Sequence, residues 1–298
     1  RKENGAQRPR AVSGMDLKNL GLNGKTAIVT GASQGIGREI ARALHAEGVA
    51  LALVSRSRQS AQEAARVIGG SGAAQAAPIH PIVADLSLLA EVERVVSEAI
   101  ARLGHVDILI NNAALTTTGA FFEMSDGDLQ NVWQVKGMGY VRMTRAVAAH
   151  MKERHARRME GQKAERMQAQ EAGRIVNIIG GTARTPALDF LMGSMVNAAL
   201  VNFTRGVARE LGPFNIRVNA ISPGVTLTER LLRHYELESV AKKIPVDDLI
   251  ARDARHIPGR RFVTPEEIAA LTVFVVSDLC PALTGEDIVM DGGANPGV

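Results

Sequence analysis

The sequence predicts an α/β protein with a doubly wound parallel sheet, three layers deep (α/β/α), and three observations predict it. The first is Thr30-Gly31-Ala32-Ser33-Gln34-Gly35-Ile36-Gly37, a glycine-rich turn between the apolar run Thr26-Ala27-Ile28-Val29 and a helical segment from Ile36 to about Glu47. The second is Val49 to Val54, an unbroken apolar run of the kind found in strands covered on both faces. The third is the alternation of such runs with helical segments along the chain, which implies parallel strands joined by right-handed crossovers.

Composition bounds the rest. At 298 residues the chain suits one large domain, expected over 15–298, preceded by a polar, basic and disordered tail over 1–14 that lacks the apolar core of a secretory signal. A hydrophobic content of 46% is ample for a core. Aromatics at 3% argue against a base-stacking surface, and the net charge of +4 is spread among acidic residues, so no nucleic-acid partner is expected. One cysteine, Cys280, excludes an internal disulfide framework and fits a reducing compartment. No apolar run approaches the ~18 residues of a membrane span, so the expectation is a cytoplasmic protein without membrane attachment.

The elements follow in order. After Val54 comes Ser55-Arg56-Ser57-Arg58, a helix to about Ile68 and a Gly/Ala-rich loop through Ala77. Ile79 to Ala84 reads as a strand ending in Asp85-Leu86-Ser87, with Ser87 as cap of a helix to about Leu103. Val106 to Ile110 is a strand ending in Asn111-Asn112-Ala113-Ala114, followed by one long helix from about Asp126 to Met151. Arg174 to Ile179 is a strand, Phe190 to Leu211 a helix, and Ile216 to Ile221 a strand ending at Ser222-Pro223-Gly224. Thr264-Pro265-Glu266-Glu267 opens a further helix, and the last strand lies near Asp287 to Met290.

Ligands of such sheets gather beyond the carboxyl ends of the strands, which places the turns after Thr30, Val54, Ala84, Ile110, Ile179 and Ile221 on the ligand side. In the first turn Gly31 takes positive φ, Gly35 lets backbone N–H groups approach a ligand, and Gly37 lets the helix pack on the strand. The helix N-terminus offers unpaired N–H groups and partial positive charge, so Gly31, Ser33, Gln34, Gly35, Ile36 and Gly37 form the expected pyrophosphate cradle. The charged segment at about 152–172 falls at the opposite end, as a helical extension or exposed linker rather than a partner site.

Thr30 to Gly37, Asn111-Asn112-Ala113-Ala114, Pro223-Gly224 and Leu283-Thr284-Gly285 with Asp291-Gly292-Gly293 occur together in an order that resembles the short-chain dehydrogenase/reductase family, over about Leu20 to Gly293. The resemblance implies a single Rossmann-type domain, a nicotinamide dinucleotide, a small-molecule substrate and a homodimer or homotetramer. It implies further that Asp85 and Leu86 border the adenine, Asn112 and Ala113 the adjacent ribose, and Pro223, Gly224 and Val225 the nicotinamide. Ala114 stands where the family usually has glycine, adding one methyl near the cofactor. Asn111 is expected to tie strands together. After the second strand an NAD-preferring member would carry an acidic residue; here Ser55 and Arg56 offer hydroxyl and guanidinium to a 2′-phosphate. NADP is expected over NAD, the alternative being that Arg56 is a plain surface arginine.

The family's usual catalytic set is an asparagine, a serine and a Tyr-x-x-x-Lys pair, the tyrosine acting as acid/base. Aligning the resemblance puts Gln134 at the asparagine, Gly180 at the serine, Gly193 at the tyrosine and Asn197 at the lysine, so none of the four is kept. The remaining candidates are Ser194 as a hydrogen-bond donor to a carbonyl, Asn197 on ribose hydroxyls and Gln134 on a water chain. Asp189 either caps the helix from Phe190 or serves as an acid. General acid–base help is worth about 10²–10⁴-fold, so the expectation is an altered proton path, an acceptor that needs none, or no hydride transfer.

The seven histidines show no metal spacing and no metal site is expected. A lid at about 225–262 carries Leu227, Leu231, Leu232, Leu237, Val240 and Ile244 as a candidate apolar wall. It also carries Arg230, Arg233, His234, Lys242, Lys243, Arg252 and Arg255, which would meet an anionic or acyl-thioester substrate or else face water. The leading expectation is an NADP(H)-dependent oxidoreductase acting on an apolar carbonyl, alcohol or activated alkene. The alternatives are a non-redox isomerase or dehydratase on the same fold, and a non-catalytic dinucleotide-binding protein.

Overall fold

The computed structural model describes residues 19–70, 77–115, 117–161 and 173–296. Seven strands, β1 (Thr26–Thr30), β2 (Ala50–Ser55), β3 (Ile79–Val83), β4 (Ile108–Asn111), β5 (Gly173–Ile178), β6 (Ile216–Pro223) and β7 (Asp287–Met290), form one sheet in the order 3-2-1-4-5-6-7. Every pairing is parallel. The order reverses between β1 and β4, where Val29 pairs with Ile110, and a crevice opens beyond that reversal. The expected tail at 1–14 and most of the charged segment beyond Gly161 lie outside the described residues.

The unbroken apolar runs have a direct cause. Successive strand side chains point to opposite faces, and both faces here are covered. Ala27, Val29, Leu51 and Leu53 pack with Ile40 and Leu44 of α1 (Gly35–Ala46), Ala64 and Ile68 of α2 (Arg58–Gly69) and Val276 of the last helix, α9 (Pro265–Val276). Ile28, Ala52, Val54 and Leu109 face the other way. They meet Val92 and Val95 of α3 (Leu89–Leu103), Val147 of α5 (Gly139–Gly161) and Ala208 of α6 (Leu191–Leu211). Central strands β1, β4, β5 and β6 are buried throughout, whereas the edge strands β3 and β7 are mostly half-buried.

Three local expectations are corrected. Ser87 does not cap α3: the side chain of Asp85 accepts the Ser87 N–H at 2.9 Å, and the N-cap position falls to Leu88, which offers no side-chain hydrogen bond. Asp189 does not cap α6, which starts after Phe190 without a side-chain cap; Asp189 lies in a short 3₁₀ turn, Leu188–Phe190. The long helix expected from Asp126 to Met151 is interrupted. It runs as α4 (Asp126–Val132), a π-helical turn at Trp133–Met138, and α5. By contrast Thr264 and Glu267 form a full capping box with Pro265 in the first turn of α9, a device worth about 1 kcal/mol.

The lid folds as α7 (Glu229–Lys242) and α8 (Val246–Ala254) around Tyr235, Leu249, Ile257 and Phe262, with Leu227 and Leu231 against them. Leu237, Val240 and Ile244 are exposed, so the apolar wall expected there keeps only its N-terminal part. Lys242 and Arg252 pair with Glu238 on the outer surface, which removes them as substrate contacts. Among the described residues no helix is long and apolar enough to cross a membrane.

Candidate active site

The turns at the carboxyl ends of the strands enclose a crevice of about 970 Å³, at the upper end of the usual range of small-molecule sites. Gly31 and Gly35 both take positive φ, 64° and 56°, so the turn closes as the glycines permit. A Cβ on Gly37 would stand 2.3 Å from the Gly31 carbonyl oxygen and from Asn112 Nδ2, so only glycine lets α1 sit this close to the turn. Asn112 holds that turn in place, donating from Nδ2 to Thr30 O and Gly31 O at 3.1 Å each.

The start of α1 tests whether an anion fits. Gln34 provides no side-chain cap, which leaves the first N–H groups of α1 without a local partner. A carboxylate already stands there: Glu229 Oε2, from the lid, accepts the Gly35 N–H at 3.2 Å, and Arg38 pairs with the same carboxylate. Burial pushes the Glu229 carboxyl up. Its own backbone N–H, Arg38 and the Gly35 N–H more than offset that and hold it below the ordinary carboxylate range. The cradle thus accepts an anion, and a dinucleotide pyrophosphate is the anion such turns are shaped for.

The structure brings most of the sequence-expected binding residues to this one crevice. Gly31, Ser33, Gln34, Gly35 and Ile36 line it from the first turn, and Ser55 and Arg56 from the end of β2. Asp85 and Leu86, Asn112 to Ala114, and Pro223 to Val225 complete the sequence around the sheet. Arg56 is exposed at the rim, free of any cap role because Ser57 caps α2. Asn111, one residue before, is buried and bonds Thr144 and Asn177, tying β4 to α5 and β5.

The expected catalytic residues divide. Asn197 lines the crevice, buried, with Nδ2 donating to Thr182 Oγ1 at 2.8 Å. Ser194 does not reach it: its hydroxyl donates to Phe190 O at 2.9 Å and accepts the Ala187 N–H at 3.3 Å, so it is committed to the start of α6. Gln134 does not line it either. Apart from glycines, the buried residues around the π-helical turn are Val132, Lys136 and Tyr140, four apart, and Gln134 between them is only half-buried. Lys136 takes the place instead. Its Nζ donates to Ile179 O at 2.5 Å and to Asn197 Oδ1 at 2.7 Å, and burial pulls the ammonium down to about 7. Sequence reasoning gave Lys136 no role, because the expected helix from Asp126 to Met151 carries no signal of which of its polar residues turns inward.

The surroundings of Asn197 are shaped by absent side chains. Gly180 sits at φ 140°, and a Cβ there would stand 2.9 Å from Asn197 Nδ2. At Gly193 a Cβ would meet Phe190 Cζ at 1.9 Å, so the phenyl ring fills the space beside that glycine. Both tyrosines lie elsewhere: Tyr140 donates to Ile178 O and Tyr235 to Asp253. Asp189, Phe190, Thr182 and Asn295 also line the crevice, none of which the motifs pointed to apart from Asp189. Among the described residues no cluster of three His, Cys, Asp or Glu stands together to hold a metal.

Comparison with known proteins agrees with this geometry. A family model described as enoyl-(acyl carrier protein) reductase matches residues 31–295. Oxidoreductase UcpA of Salmonella typhimurium is 34% identical over 279 residues, covering 92% of this chain and 95% of that protein. NADPH-dependent reductase BacG of Bacillus subtilis is 29% identical, with 92% and 98% covered. The crystal structure of L-sorbose reductase from Gluconobacter frateurii, complexed with NADPH and L-sorbose, superposes with a TM-score of 0.84 at 28% identity, covering 94% of this chain and all of that one.

Proposed function

Because the chain belongs to the short-chain dehydrogenase/reductase family, we propose that it is an NADP(H)-dependent oxidoreductase acting on an apolar carbonyl, alcohol or activated alkene by an atypical proton path. The observation that carries the reading is one crevice that, following the strand order, holds Arg56 at the end of β2, the glycine turn after β1 and Asn197 beside the end of β5. The glycine turn is suited to a pyrophosphate, and Phe190, Val135 and Leu231 are among the apolar side chains that line the crevice. When bound, the dinucleotide supplies or accepts a hydride. Gly31 to Ile36 would hold its pyrophosphate, Arg56 and Ser55 its 2′-phosphate, and Pro223 to Val225 its nicotinamide.

The member is atypical in that Gly180, Gly193 and Asn197 take the positions of the family's serine, tyrosine and lysine. Phe190 beside Gly193 supports that assignment, since its ring leaves no room for a phenol. The reading extends to a cytoplasmic homo-oligomer, in keeping with a reducing compartment and one free cysteine.

The test is a fluorescence titration of NADPH and NADH, repeated with Arg56→Ala. A guanidinium–phosphate pair is worth roughly 1.5–3 kcal/mol, so NADPH affinity falls about 10- to 100-fold while NADH affinity stays put. Equal loss of both, or binding of neither by the wild-type protein, overturns the proposal. Product formation without net NADPH consumption would instead assign a non-redox step.

A further inference from the structure

The crevice contains one proton-bearing group that is both closed off from water and placed beside Asn197. We infer that Lys136 Nζ is the proton donor that replaces the family's phenol, with Asn197 as its positioning residue, so that lysine and asparagine have exchanged sides of the site. The inference rests on the oxidoreductase reading above and deepens it.

The geometry carries the assignment. An ammonium has three N–H bonds. Among the described residues two of them meet acceptors, Ile179 O at 2.5 Å and Asn197 Oδ1 at 2.7 Å. The third remains for a group in the crevice that Lys136 lines. The two acceptors come from different elements, the end of β5 and α6, so Nζ is held from two directions. Asn197 is fixed in turn by Thr182. The ammonium sets the amide orientation: having no lone pair it requires Oδ1, and Nδ2 is then left to donate to Thr182 Oγ1.

Charge does not explain a lysine here. Among the described residues no carboxylate stands within ion-pair distance of Nζ, and burial alone lowers its affinity for a proton. The ionisable groups that share the crevice are Arg56, Asp85, Asp189, Glu229, Arg230 and His234, and none bonds to Nζ. Tyr140, four residues further along, turns its hydroxyl to Ile178 O. A buried ammonium without a counter-ion is costly. A structural role is met more cheaply by methionine or glutamine. A general acid is the use for which an amine poised near neutrality is suited.

The step balances. A carbonyl carbon that accepts a hydride takes two electrons from the reduced dinucleotide, which is thereby oxidised, and the electron pair of the C=O π bond moves to oxygen. As the O–H bond forms, an N–H bond of Lys136 breaks and Nζ becomes a neutral amine. Once product leaves, Nζ is reprotonated by an acid of the bulk buffer, whose conjugate base carries off the balance. In the oxidative direction the neutral amine accepts the alcohol proton.

The test uses the full chain with [13Cε]lysine and follows the lysine signals through pH, with Lys136→Met identifying the signal that belongs to Lys136. A midpoint near 7 that moves when NADP⁺ is added at saturation supports the inference. A midpoint above 9.5, or one unmoved by NADP⁺, overturns it. With NADPH and ethyl acetoacetate as the probe pair, Lys136→Met and Lys136→Arg lower kcat about 10²–10⁴-fold and leave the NADPH Kd within threefold. Arginine is the informative substitution, since it keeps the charge but does not release a proton near neutral pH. Variants that keep kcat within threefold of wild type overturn the inference while the oxidoreductase reading stands. Failure of the wild-type protein to bind NADPH would overturn that reading instead.

Discussion

A lysine buried in the wall of the crevice makes the stability of the protein depend on pH. The ammonium of Lys136 is pulled from its ordinary 10.5 to about 7 by burial. Between those two values the unfolded chain binds the proton and the folded chain does not, so this group makes stability rise as pH increases through the window. Below about 7 the folded protein carries a buried cation, and the contribution is at its least favourable. Lys136→Met has no such dependence. The expected outcome in urea unfolding is that wild type gains relative to Lys136→Met by roughly 2 kcal/mol between pH 7 and 9, against a ceiling of about 1.4 kcal/mol per unit. Parallel stability profiles for the two proteins would place the lysine pKa near its ordinary value. The same residue marks where the sequence stopped being readable. The glycine turn and the Asn111–Ala114 stretch announce themselves because their residue types are required by backbone geometry. Lys136 is required only by its three-dimensional neighbours, Ile179 and Asn197, which lie 43 and 61 positions away.

At the level of elements, the π-helical turn and the lid determine what the crevice presents. Apolar periodicity gave one helix from Asp126 to Met151 because a single π-helical turn leaves the pattern on either side intact. Lys136, four residues from Val132 and from Tyr140, shares their buried face, and so Lys136 rather than Gln134 enters the site. Such turns recur at functional positions. The lid acts by a different means. Glu229 begins α7 and its carboxylate accepts the Gly35 N–H, so α7 touches the start of α1 through the very donors a pyrophosphate would use. The two anions compete. Glu229→Gln removes the charge, and a charge at a helix N-terminus is worth about 0.3–1 kcal/mol. NADPH is therefore expected to bind about two- to fivefold more tightly to the variant, read by fluorescence titration at low ionic strength. Weaker binding would mean that Glu229 and Arg38 stay paired beside the bound dinucleotide. This contact was illegible in the sequence for a plain reason: 194 positions separate the two residues, and Glu229 reads there as an ordinary first-turn acid.

The whole molecule follows from one sheet whose order reverses between β1 and β4. That reversal sets the Gly31 turn beside Asn112, and the parallel neighbours then deliver Arg56, Asp85, Gly180 and Gly224 to the same rim. The sheet was legible because its central strands are buried on both faces, which leaves their composition little freedom to vary. The lid was less so, since Leu237 and Val240 obey helical spacing yet face outward. A crevice assembled from the segments that follow all seven strands has a consequence for unfolding. A dinucleotide seated there contacts segments from Gly31 to Asn295, so it cannot be bound by a partly unfolded sheet. Its binding free energy then adds to global stability: at a free concentration one hundred times Kd the gain is about 2.7 kcal/mol. NADPH is expected to raise Tm by several degrees, to leave unfolding a single transition, and to do so less in Arg56→Ala at the same concentration. If instead NADPH protected 225–262 from proteolysis without moving Tm, the ligand would be held by the lid alone, and the sheet would not be the platform on which this site is built.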